Sequence, residues 1–287
     1  MRKLIVGCGY LGRRVAAQWI AEGHQVSALT RSPANAQALQ SAGIEPVIGD
    51  VTDPASLSRL PAADVVVYAV GLDRNSGQSQ REVYVTGLRN VLAHLPSSVK
   101  RFIYISSTSV YGQTAGEWID ETSPCLPSRE NGQVCLEAEQ ALREHFREQR
   151  RSGGFNILRL AGIYGPQRLL SRIETLRSGE PLSGHPEAWL NLIHADDAAA
   201  AVLACETHGT AGECYLVCDD EPIHRRRYYQ LLASLVGAPP PRFHDEAAES
   251  DARQLNKRCS NERLYSELRM ELQFPTIAEG LPHAVGR

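Results

Sequence analysis

The segment Gly7-Cys8-Gly9-Tyr10-Leu11-Gly12 constrains this chain more than any other. It directly follows an apolar run at residues 3–6 and opens an amphipathic pattern over residues 11–21. A strand, a G-x-G-x-x-G turn and a helix in that order begin a βαβ unit suited to a dinucleotide. The first glycine permits the tight turn. The second lets a pyrophosphate approach the backbone, and the third lets the helix pack close to the strand. The free N–H groups and the positive dipole end of the helix then face the phosphates. Taken alone, the string also fits an unliganded glycine-rich turn; the flanking strand and helix favour binding.

The alternation continues through the first 160 residues. Apolar runs stand at 3–6, 25–29, 45–48, 64–69, 101–105 and 156–160, with little polar alternation inside them. Strands buried on both faces of a helix-covered parallel sheet have this composition. Helical patterns lie between them at 11–21, 33–42, 80–94 and 133–150. The expected fold is therefore α/β, a Rossmann-type doubly wound parallel sheet over residues 1–160. Beyond residue 160 Gly and Pro become frequent, and the remaining patterns are strands at 189–194 and 214–217 and helices at 195–206 and 228–236. Residues 161–287 are expected to form a smaller α/β substrate lobe, with some later segments joining the first domain. Ligands of open α/β sheets bind outside the strand carboxyl ends, so such a lobe would wall a cleft there.

Charge and composition exclude several classes. Lys and Arg number 30 against 33 Asp and Glu, so no basic excess points to nucleic acid. The run Arg225-Arg226-Arg227 reads as a solvated helix start more readily than as a phosphate site. No stretch reaches the roughly 18–20 apolar residues a bilayer span needs. The N-terminus lacks the apolar core of a signal peptide. Seven cysteines are scattered without metal-ligand spacing, and Cys214 and Cys218 read as buried free thiols. A cytoplasmic protein with no metal site is expected.

The second strand should end at Thr30-Arg31-Ser32. An NAD site would place an acid there for the ribose 2′-hydroxyl, whereas a guanidinium there suits a 2′-phosphate. NADP(H) is the expected cofactor and NAD(H) the alternative; Thr30 and Ser32 can add hydrogen bonds, or Arg31 is a plain loop residue. After the third strand, Asp50 can accept from the adenine amino group with Val51 beside the ring. Asp53 looks like an N-cap ahead of Pro54. Ala69-Val70-Gly71 can lie against a ribose or the nicotinamide.

Together these segments, with 87–91, Phe102-Ile-Tyr-Ile-Ser-Ser-Thr-Ser-Val-Tyr-Gly112, Leu158-Arg-Leu-Ala-Gly-Ile-Tyr-Gly-Pro166 and 191–197, resemble the extended and atypical short-chain dehydrogenase/reductases of the NAD-dependent epimerase/dehydratase group. The resemblance covers residues 1 to about 236. It implies a small-molecule substrate, a nucleotide sugar or another carbonyl or hydroxyl compound. It places Ser107 against the substrate's reacting oxygen, and Ser106 and Leu160 complete the expected cofactor contacts.

Such proteins carry Tyr-x-x-x-Lys at the start of the long helix that here continues Leu136-Glu-Ala-Glu139. Aligned on that run, Asn131 stands for the tyrosine and Cys135 for the lysine. A phenol becomes a useful acid only when a nearby cation stabilises phenolate, so the usual proton relay is missing. Tyr111 is the candidate substitute, against a reading as a wall residue, and Tyr164 is similar. The Cys135 thiol and the loop acids Glu117, Asp120 and Glu121 are weaker candidates, the acids reading first as solvated charges. His194-x-x-Asp197 reads as a helix cap. Two functions stay open: an atypical oxidoreductase or epimerase, and a protein that holds NADP(H) without turnover. The helices over 80–94 and 133–150 pair across subunits in relatives, which raises a homodimer.

Overall fold

The computed structural model describes residues 1–73, 75–149, 153–244 and 255–286. Arg150, the last residue of one expected helix, and Arg287, the last of the expected second lobe, lie outside the described residues.

The strands in chain order are β1 (Arg2–Val6), β2 (Gln25–Thr30), β3 (Glu45–Ile48), β4 (Val65–Tyr68), β5 (Arg101–Ser107), β6 (Glu117–Ile119), β7 (Gly154–Leu160), β8 (Gly162–Tyr164), β9 (Trp189–Leu190), β10 (Leu192–His194), β11 (Cys214–Val217), β12 (Ile223–His224) and β13 (Lys257–Cys259). Seven of them form one sheet in the order β11-β7-β5-β4-β1-β2-β3, every neighbour parallel. All four residues of β4 are buried, as are all four of β11, which is why these runs show no polar alternation.

Two helical layers cover the sheet. Helices α1 (Tyr10–Ala21) and α2 (Pro33–Ser41) flank β2, and α3 (Gly87–Ala93) and α4 (Glu130–Gln149) flank β5. Helices α5 (Leu170–Ser178) and α6 (Ala195–His208) follow β8 and β10. On one face Leu11, Val15 and Trp19 of α1 meet Val202 and Cys205 of α6 over Ile5, Val67 and Ile103. On the other, Leu88, Val91 and Leu92 of α3 and Val134, Ala138 and Leu142 of α4 pack on Leu4, Val66 and Phe102. Those apolar positions face the sheet, while Arg81, Thr86, Arg89, Gln133, Gln140 and Arg143 on the outer sides are exposed and polar.

The helix expected over 80–94 is not uniform. Glu82–Thr86 is a π-helical turn ahead of α3. The buried Tyr68 hydroxyl donates to the Val83 carbonyl at 3.1 Å. A carbonyl engaged from outside the helix is a sufficient reason for the ladder to widen there.

The smaller lobe holds α5, α7 (Arg225–Val236) and α9 (Ile277–Ala284) around Tyr164, Leu176, Tyr228, Leu232 and Leu281, while α8 (Glu262–Ser266) adds Leu264 to the core on the sheet's first face. The arginine run 225–227 is the first turn of α7. Two later segments leave this lobe for the large sheet: β11 is its edge strand and α6 covers it. The strand expected over 189–194 is broken at Asn191. Its side-chain amide donates to the Lys257 carbonyl at 2.9 Å and accepts from the Cys259 amide at 2.7 Å, docking β13. Glu121, expected as a solvated charge, is half-buried and accepts from the Leu216 amide at 2.7 Å. It thereby occupies an open donor of the edge strand.

Candidate functional site

A cavity of about 980 Å³ opens at the carboxyl ends of β1 to β4. Its walls include Gly7 to Leu11, Thr30 to Ser32, Asp50, Val51 and Ala69 to Gly71, contributed by four separate strand ends. One chamber thus gathers most of the residues picked from sequence for a cofactor.

The glycine turn shows why each glycine is needed. Gly7 has φ +93°, and a Cβ there would lie 2.6 Å from the Ala69 carbonyl carbon. At Gly9 a Cβ would meet nothing within 4 Å, so the space before α1 is open cavity. Gly12 is outside the cavity wall; its Cβ would stand 2.9 Å from the Gly7 carbonyl oxygen, the close helix–strand contact expected of it. Gly9 caps α1 without any side-chain bond, and the first turn carries no acid. These backbone donors are left for an anion, and the cradle fits a dinucleotide's pyrophosphate. Burial pushes the Cys8 thiol up to about 11, so this turn stays uncharged at neutral pH.

At the far end of the cavity β2 stops at Thr30 and Ser32 caps α2, its hydroxyl accepting from the Asn35 amide at 3.3 Å. Arg31 donates to Gln78 Oε1 at 3.1 Å and lies 3.5 Å from Asp73 and 3.9 Å from Asp50. One Asp50 oxygen accepts from the Thr52 amide and hydroxyl, both at 2.8 Å. Asp53 caps the short 3-10 turn Pro54–Arg59 through the Ala55 amide. Asn35, Asp73, Gln78 and Arg168 also line the cavity and were not anticipated. All but Asn35 sit in irregular loops, where no periodicity marks a residue.

The expected catalytic groups stand elsewhere. Ser107 is half-buried, and its hydroxyl accepts from the Ser109 amide at 3.1 Å, capping the single turn Thr108–Val110. Tyr111 is fully buried, its hydroxyl accepting from Arg159 Nη1 at 2.6 Å. Burial pushes that phenol far above its ordinary value, with Arg159 offsetting only part. Ser106 donates to Glu139 Oε1 at 2.6 Å, and Leu160 packs in the core. None of these four lines the cavity. Asn131 is exposed, and the buried Cys135 thiol is pushed up by burial. Tyr164 is buried against Gly280 of α9. Glu117 opens β6, while the Asp120 carboxylate accepts locally from the Thr122 amide and hydroxyl and the Ser123 hydroxyl.

His194 caps α6, its Nδ1 accepting from the Asp196 amide at 3.2 Å, and its Nε2 lies 3.1 Å from His283 Nδ1. Burial pushes its imidazole down to about 4. Asp197 accepts from the Gln273 and Phe274 amides at 2.7 and 3.0 Å. His194, Asp196 and His283 bring ligand atoms within 4.8 Å of one another. Asp196 is already engaged by Arg14 at 2.8 Å, so this cluster reads as the junction of sheet and lobe.

Protein YeeZ of Escherichia coli K12 is 30% identical over 287 residues, covering 96% of this chain and 97% of its own. An epimerase/dehydratase-type structure from Methylobacillus flagellatus is 30% identical with a TM-score of 0.76, covering 99% of this chain and 97% of that one. The dTDP-glucose 4,6-dehydratase DesIV of Streptomyces venezuelae, solved with NAD bound, shares the fold at 22% identity and a TM-score of 0.85, covering 100% and 96%. Residues 4–218 match the NAD dependent epimerase/dehydratase family, and the chain belongs to it.

Proposed function

We propose that this protein binds NADP(H) along the cavity and acts as an atypical oxidoreductase or epimerase on a carbonyl or hydroxyl compound, nucleotide sugars included. The observation that carries the cofactor choice is the end of β2, where Thr30-Arg31-Ser32 offers a guanidinium, two hydroxyls and the start of α2 but no acid. A doubly charged 2′-phosphate outcompetes the two exposed hydrogen bonds, to Gln78 and Asp73, and the longer Asp50 approach that hold Arg31 in this structure. When bound, the nicotinamide supplies hydride transfer. The chain's residues bind the pyrophosphate at the glycine turn and keep the adenine end between Asp50, Val51 and Arg31. Ser107 remains the proposed contact for the substrate oxygen, with Tyr111 as a packing neighbour.

The test is a paired titration by nicotinamide fluorescence. Arg31→Ala is expected to weaken NADPH about tenfold or more, since hydrogen bonds to charged groups contribute ~1.5–3 kcal/mol, and to leave NADH nearly unchanged. A wild-type preference for NADH, or an indifferent mutant, overturns the assignment.

A second reading is that the protein holds NADP(H) without turnover. It is favoured by Asn131 and Cys135 at the relay positions and by the Arg159-bound hydroxyl of Tyr111. NADPH oxidation with a panel of carbonyl and nucleotide-sugar substrates separates the two: turnover excludes this reading, and binding without turnover across the panel supports it. No helix among the described residues is long and apolar enough to cross a membrane; a cytoplasmic location is proposed. A homodimer through the outer faces of α3 and α4 is proposed as well, and a monomer mass by light scattering would rule it out.

A further inference from the structure

We propose that Arg168 is a clamp for the cofactor's diphosphate, supplied by the smaller lobe and closing the opposite end of the cavity from Arg31. This rests on the NADP(H) reading above and adds to it a residue outside the glycine motif.

Arg168 lies in the loop between β8 and α5. It is exposed and lines the cavity beside Gly7 to Leu11. The loop is fastened directly over the start of α1, because the Tyr10 hydroxyl donates to the Pro166 carbonyl at 2.8 Å. Tyr10 is itself flanked by two guanidiniums. That of Arg14 stands 4.0 Å from the ring centroid and that of Arg168 5.2 Å.

The two arginines differ in what they have left to give. Arg14 is spent, donating to Asp196 at 2.8 Å and to the Tyr10 carbonyl at 3.0 Å. Arg168 makes no ion pair and no side-chain hydrogen bond among the described residues; its ring contact leaves all five donors free. The acids of the cavity wall, Asp50 and Asp73, stand at the Arg31 end, and among the described residues no acid lines the wall at the glycine turn. A free guanidinium in the acid-free half of a dinucleotide cavity, next to open backbone donors, matches a diphosphate's geometry and charge.

The backbone supports the same placement. Gln167, immediately before Arg168, has φ +67°, a left-handed conformation a non-glycine residue adopts at a cost. The turn is closed by the Arg168 amide donating to the Gly165 carbonyl at 3.1 Å. Strain of this kind persists where surrounding contacts impose it, here the Tyr10–Pro166 bond. Its effect is to aim residue 168 into the cavity instead of along the lobe surface.

The role divides the ligand into two readable halves. Arg168 senses the 5′-diphosphate and Arg31 the 2′-phosphate. Wild type, Arg168→Ala, Arg168→Lys and Arg31→Ala are titrated with NADPH, then with ADP-ribose (diphosphate, no 2′-phosphate) and 2′-AMP (the reverse) in competition. Arg168→Ala is expected to weaken NADPH and ADP-ribose about tenfold while leaving 2′-AMP unchanged, and Arg168→Lys to recover part of the loss. Arg31→Ala should weaken NADPH and 2′-AMP and spare ADP-ribose. Because Arg168 is exposed, its variants should melt with the wild type. If Arg168→Ala binds ADP-ribose like wild type, or loses 2′-AMP equally, the clamp is wrong while NADP(H) binding stands. If the folded wild type binds neither NADPH nor ADP-ribose, the cofactor reading fails and the clamp with it.

Discussion

Glu139→Ala is expected to cost about 3–5 kcal/mol of stability, the usual consequence of removing one partner from a buried ion pair. Glu139 is 1% exposed and Arg159 5%. The carboxylate accepts from Arg159 Nε at 3.0 Å and Nη2 at 2.7 Å, and from the Ser106 hydroxyl at 2.6 Å. Truncation leaves a guanidinium sealed between α4, β5 and β7 with the neutral Tyr111 hydroxyl as its main remaining partner. Urea unfolding should show the midpoint falling with the slope unchanged. The double variant Glu139→Leu/Arg159→Met should recover most of the loss, because it removes both charges at near-constant volume. A single-variant loss below about 1 kcal/mol would mean that water reaches Arg159 and that the pair contributes as surface pairs do.

That same pair explains the limits of the sequence reading. Strand position and family resemblance put Ser106, Tyr111 and Leu160 near the strand ends, and all three do lie there. Which way the Ser106 and Tyr111 side chains point is decided by Glu139 and Arg159, one from a helix and one from the neighbouring strand. No local pattern encodes that pairing. The glycine turn was legible for the opposite reason: its demands are local, a positive φ at Gly7 and tight backbone contacts at Gly7 and Gly12. The sheet was legible because strands buried on both faces tolerate only apolar residues. The π-turn at Glu82–Thr86 and the break at Asn191 were not, since each follows from a hydrogen bond to a distant segment. That later segments join the first domain was expected, but not that β11 is the one that forms its edge, because the composition of β11 shows burial and not which sheet buries it.

The acid that closes β11 carries the other large effect. Asp219, 1% exposed, is pushed up to about 8, first by burial and then by the like charge of Asp220. Glu221 on the same loop and Asp197 from α6 add to the repulsion, and the Glu221 amide offsets only part of it. Among the described residues its carboxylate oxygens and the neighbouring buried Tyr164 hydroxyl of β8 lack hydrogen-bond partners of normal geometry. The carboxyl therefore keeps its proton in the folded protein at neutral pH, whereas the unfolded chain ionises it near 3.8. Below that value both states are protonated and nothing is lost. Between about pH 4 and 8 the unfolded state alone releases the proton, so stability falls as pH rises, by up to ~1.4 kcal/mol per unit. Above about 8 the loss is complete. Asn cannot ionise, so Asp219→Asn should raise stability at pH 7.5 by several kcal/mol, up to about 5, and by little at pH 4. Asp197 and Glu121, also raised by burial, slope the same way in both proteins and cancel in the difference. Thermal melts of the two proteins across this range read the effect directly. A gain that is constant with pH would show that Asp219 is ionised in the folded state and that its neighbours, not its proton, accommodate it.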